Sequence, residues 1–178
     1  MLLIRKLIKK EENWMREQKS FTSFYYYGFH KGFYDDEDPS QSLNTIEYSD
    51  FFPKPNDDDF PYDTANTLLS GACHLFALSL SKLLKYNAYI IEEKNKKGFH
   101  VFCQVYKNKE WYYIDARGIT TSFDEFMDIA RNFVHDEYII RPVSDNDIIE
   151  WNNDYYYDKE ALAFAEAIIK KYNNYYAV

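Results

Sequence analysis

Cys73, His100 and Asp115 are a thiol, an imidazole and a carboxylate, in that order along the chain. Together they could make a nucleophile. A cysteine attacks as its thiolate, a histidine can take the thiol proton and return it to a leaving amine, and a carboxylate can orient the imidazole and stabilise its charged form. The chemistry open to such a set is acyl transfer through a thioester. Each residue also has a plainer reading. Cysteine is commonly a small packing group, His100 can be a satisfied half-buried strand residue, and Asp115 can simply end a strand. Taken singly the plain readings are the stronger ones. The joint arrangement favours the chemistry, and it depends on the elements that carry the three residues.

The stretch "TLLSGACHLFALSLSKLLKY" predicts a helix over about 71–85. Ser70 is the expected N-cap, which places Cys73 in the first turn, where free N–H groups and the helix dipole favour an anion. Cys73, Phe76, Ala77, Leu80 and Leu84 fall on one face at helical spacing, turning the cysteine towards a sheet. His74 points elsewhere on the helix and reads as structural. Downstream, "FHVFCQVY" and "EWYYIDA" predict a hairpin with Asn108-Lys109 as a two-residue turn. Lys107 then faces Glu110, Phe102 faces Asp115, and His100 is the diagonal neighbour of Asp115 on the same face. Diagonal Cβ atoms lie roughly 7 Å apart, within reach of a carboxylate–imidazole contact, whereas a one-residue slip would separate the pair. Cys103 falls on the other face between Val101 and Val105, where it reads as a buried thiol without a base.

The remaining elements are read more coarsely. A helix is expected over about 2–18, followed by the aromatic segment "SFTSFYYYGF" as a candidate extended stretch. Residues about 35–66 read as acidic, Pro-punctuated loop, and the aspartate runs at 35–38 and 57–59 read as solvated and lack the spacing of a calcium loop. A strand is expected over about 88–93 and another in "EYIIRPV". Ser122 with Glu125 forms a capping box for "FDEFMDIARNF", and Asp158 caps "KEALAFAEAIIKKY". Helices around an antiparallel sheet make the class α+β. The organisation expected is one domain, 1–178, with a core over about 68–118, an N-terminal helix and acidic loop over 1–66, and a strand and helices over 119–178.

Bulk composition narrows the function. A net charge of -8 argues against binding a phosphate backbone, so no nucleic-acid partner is expected. Aromatics at 20% belong to a chain that buries a core. The opening "MLLIRKLIKKEENWM" is too short in apolar run for a signal-peptide core or a membrane span, and two cysteines make no disulfide framework. The expected location is the cytoplasm, without a membrane partner. No Cys-x-x-Cys or His-x-x-x-His pair accompanies the three residues, so neither a metal nor a cofactor is expected.

The set "SGACHLFA", the strand opening at His100 and "YYIDARG" resembles the transglutaminase-like cysteine peptidase fold within the papain-like group. The short gap from Cys73 to His100 is typical of that core and unlike papain proper. The resemblance covers about residues 68–118. It implies Cys73 as nucleophile, His100 as base and Asp115 as its orienter, with a protein or peptide substrate. Two positions depart from the common pattern. His74 follows the cysteine where many members carry an aromatic or arginine, and Ala116-Arg117-Gly118 follows the aspartate where many carry Pro-Thr. For the oxyanion, the Cys73 backbone N–H is one natural donor, and Asn66 or an upstream aromatic is a candidate for the second. Arylamine N-acetyltransferases share the residue order but are longer. From a different class, a catalytically inactive acidic binding or inhibitor protein on the same fold would also fit the composition.

Overall fold

The computed structural model describes residues 43–55, 60–95, 98–131, 134–135, 137–153 and 158–178. The helix expected over 2–18, the aromatic segment after it and the acidic runs at 35–38 and 57–59 lie outside these residues. A single-turn helix, α1 (Thr67–Ser70), precedes the longer α2 (Cys73–Leu84). The strands are β1 (Asn87–Glu93), β2 (Phe99–Lys107), β3 (Glu110–Asp115) and β4 (Gly118–Thr120), followed by α3 (Phe123–Ala130) and β5 (Tyr138–Pro142). Among the described residues that follow are the helices α4 (Asp145–Asn153), α5 (Lys159–Lys171) and α6 (Asn173–Tyr176). The strands form one sheet in the order β4-β3-β2-β1-β5, antiparallel throughout, so the protein is α+β. No helix among the described residues is long and apolar enough to cross a membrane.

The β2–β3 hairpin has the register that alternation requires. Lys107 pairs with Glu110 and Cys103 with Ile114. Asn108 and Lys109 take φ of 55° and 67°, the paired left-handed conformations of a type I′ turn, whose twist matches that of the strands. The two sheet faces are covered differently. Val101, Cys103, Tyr112 and Ile114 lie under α2 and α5 in the larger core, with Phe76, Leu80, Phe164 and Ile168. Ile91 and Phe102, on the other face, pack with Phe126, Met127, Ala130 and Val134 in a smaller cluster.

Several expectations are corrected here. Within the stretch read as acidic loop, Leu43, Ile46, Tyr48 and Ala65 are buried in the larger core. Two 3-10 turns, Leu43–Thr45 and Tyr48–Asp50, supply them, and the Tyr48 ring lies 4.7 Å from Phe60 and 5.3 Å from Phe164. The Asp and Pro content hid apolar residues spaced too irregularly for either periodic template. Ser70 does not cap α2. It ends α1, and its hydroxyl donates back to Asn66 O at 3.3 Å. Ala72 takes the N-cap place without a side-chain cap. The Ser122 box closes only in part: Ser122 Oγ accepts from Glu125 N at 3.2 Å, but the Glu125 carboxylate accepts from Thr120 Oγ1 at 2.6 Å. Asp158 does cap α5, accepting from the N–H groups of Glu160 and Ala161.

Candidate active site

The break between α1 and α2 sets the place of Cys73. The N–H groups of Gly71 and Ala72 both donate to Thr67 O at 2.8 Å, which closes the first helix and lets a second begin at Cys73. A residue in that first position has no intrahelical acceptor for its own N–H, and no side chain caps this end. The thiol therefore sits beside unsatisfied donors and the positive end of a helix dipole.

His100 is the second residue of β2, opposite Ile91 of β1. On the other side, the β2–β3 pairing begins only at Cys103–Ile114, so His100 stands where β2 runs on past the end of β3. Asp115 is the last residue of β3, and the chain reverses through Ala116 and Arg117 into β4, with Gly118 at φ 122° paired to Asp115. That φ suits glycine and few other residues. The diagonal placement read from the sequence brings His100 Nε2 within 3.4 Å of Asp115 Oδ2, with His100 fully buried and Asp115 2% exposed.

The body of α2 rests on the sheet face opposite His100, where Cys103 Sγ donates to Ala77 O at 3.4 Å. Only the first turn comes to the imidazole, so thiol and ring meet at the end of the sheet rather than across its face.

Electrostatics at the three residues are strongly coupled. Burial pushes the Cys73 thiol up, but hydrogen bonding and charge from His100, and then from His74, outweigh it and bring the thiol down to about 6. Burial pulls His100 down, yet its bonds to Asp115 and Cys73 and their charges raise it to about 9. Burial also works against the Asp115 carboxylate, but the Arg117 charge and the His100 bond hold it well below the usual carboxylate range. Between about 6 and 9 these values describe a thiolate–imidazolium pair beside an ionised carboxylate.

Sequence reasoning passed over three contributors. His74, read as structural, is buried with its ring 5.1 Å from Trp151, and it helps to lower the Cys73 thiol. Arg117 grips Asp115 with Nη2 at 2.8 Å from Oδ2. Tyr176 of α6 donates its hydroxyl to Ala116 O at 3.0 Å and so ties the turn after Asp115 to the far end of the chain. The departure at Ala116-Arg117-Gly118 was the one signal available for Arg117. Asn66, the candidate oxyanion donor, stands at the N-cap of α1 and keeps a buried amide oxygen with no hydrogen-bond partner. Among the described residues, no cluster of His, Cys, Asp and Glu is disposed to hold a metal ion. Comparisons with protein-family models, curated proteins and solved structures find no match to this chain.

Proposed function

We propose that this protein is a cysteine-dependent acyl-transfer enzyme with a transglutaminase-like core of the papain-like group, acting on amide bonds of a protein or peptide. The observation that carries the reading is the meeting of the first-turn Cys73 with a buried imidazole already bonded to Asp115. In the first half-reaction the Cys73 thiolate attacks the amide carbonyl, forming the S–C bond. The C–N bond then breaks as His100 gives its proton to the departing amine. The developing oxyanion falls beside the Cys73 N–H, with the Asn66 amide as second donor once its N–H edge is turned inwards. In the second half-reaction His100 takes a proton from water, the hydroxide adds to the thioester, and the thiolate leaves. Hydrolysis is favoured over transfer to an amine because transfer needs a second amine site and restricted water.

A screen of peptide and protein substrates with wild type and Cys73→Ala tests this. Amide cleavage, deamidation or amine exchange is expected with wild type and is expected to vanish in Cys73→Ala. A biological effect that survives Cys73→Ala would mean that the protein acts by binding, as an acidic inhibitor on this scaffold.

A further inference from the structure

Arg117 is buried and holds Asp115 from several directions. Its backbone N–H and Nε donate to Oδ1 at 2.9 and 3.1 Å, and Nη2 donates to Oδ2 at 2.8 Å. The guanidinium is itself anchored on α3, with Nη1 donating to Glu125 O at 3.2 Å and Nη2 to Phe126 O at 3.0 Å. By contrast, the His100 contact to Oδ2 measures 3.4 Å. The carboxylate thus takes its place from Arg117, and His100 takes its orientation from the carboxylate so placed.

We propose that Arg117 is a positioning residue for the Cys73–His100 pair, fixing the Asp115 carboxylate and supplying the positive charge that allows thiolate, imidazolium and carboxylate to coexist out of water. The inference rests on the thiol-enzyme reading above. Thiolate and carboxylate are two anions against one imidazolium, and buried charge is tolerated only when paired. Arg117 completes the balance. The other titratable groups acting on this cluster are His74 from α2 and Tyr176 from α6; Glu125 of α3 meets Arg117 with its backbone carbonyl, and its carboxylate accepts from Thr120 Oγ1. Glu125 and Tyr176 have no cationic form to offer, and His74 lies on the thiol side. Two responses are open when the guanidinium is removed. Asp115 takes up a proton and His100 loses the anion that keeps it charged, or Asp115 stays ionised and the site becomes one charge more negative. Either way the Cys73 thiolate is less favoured.

The test is the pH profile of Cys73 alkylation by iodoacetamide, read by peptide mapping on full-length wild type, Arg117→Gln and Arg117→Lys, with circular dichroism reporting the folded fraction. The acid limb of the profile should move up by about one pH unit in Arg117→Gln. In Arg117→Lys it should move by roughly half as much, because a single ammonium cannot replace the planar fork. A purely structural arginine would lower the melting temperature and leave the limb of the folded fraction where it is, so unmoved limbs overturn the proposal. If Arg117→Gln does not fold, the comparison of wild type with Arg117→Lys decides by the same criterion. A wild-type Cys73 that alkylates like an ordinary thiol, with no limb on the acid side of neutrality, overturns the thiol-enzyme reading itself and this inference with it.

Discussion

Cys73 and Cys103 behave as opposites at the residue scale, although both are buried. Burial pushes the Cys103 thiol up with nothing to offset it, whereas Cys73 is brought down to about 6 by His100 and His74. Iodoacetamide at pH 7 should therefore label Cys73 at least about tenfold faster than Cys103, as peptide mapping of the native protein would show. Equal labelling would contradict the assignment of Cys73 as nucleophile. Asp115 carries a stability prediction as well. Its folded-state value lies below the ordinary 3.8, so its contribution is fully present above that pH and is lost as pH falls towards the depressed value. Asp115→Asn should be less stable than wild type by about 3 kcal/mol at neutral pH, since it strips Arg117 of its buried partner. Urea midpoints should show that gap narrowing by about 1 kcal/mol at pH 3.

The hairpin and the helix start decide the site at the scale of elements. The β2–β3 turn holds two non-glycine residues at positive φ, and its length fixes the register that puts His100 and Asp115 on one face. Lys109→Gly relieves one left-handed side-chain residue and should raise stability by about 1 kcal/mol, seen as a higher melting temperature with the Cys73 alkylation profile unchanged. Loss of Cys73 reactivity in that variant would mean that the turn does more than set register. The helix start was harder to read. Serine before glycine matches an N-cap preference, but the Thr67–Ser70 turn forms first and consumes Ser70 as its last residue. The cysteine keeps its first-turn place because a second helix starts after two intervening residues, Gly71 and Ala72.

Packing across the whole molecule backs the site from both sheet faces and from the end of the chain. The smaller cluster sets Phe126 4.4 Å from Phe102 and 6.0 Å from the His100 ring. Tyr176, buried under the larger core, holds the Ala116 carbonyl across the fold. Tyr176→Phe leaves that carbonyl buried and unpaired, and should cost about 1 to 2 kcal/mol in chemical denaturation. An unchanged midpoint would mean that water or another donor reaches Ala116 O.

What the sequence determined by itself was local and periodic: alternation placed His100 and Asp115 on one face, the turn length set their register, and helical spacing put Cys73 at an N-terminus facing the sheet. These follow from backbone geometry, which repeats every two or every 3.6 residues and can be read in a short window. The short elements escaped that reading. β4 has three residues and α1 has four, too few to show a period, and α4 is mostly polar, with only the Ser144–Asp147 cap to announce it. Tertiary structure alone decided the rest: that the thiol meets His100 at the end of the sheet, that Leu43 and Tyr48 leave an acidic stretch for the core, and that Arg117 and Tyr176 converge on the turn after Asp115. Contacts between segments remote in sequence are set by how whole faces pack, and no local pattern encodes which charged side chain will find which buried partner.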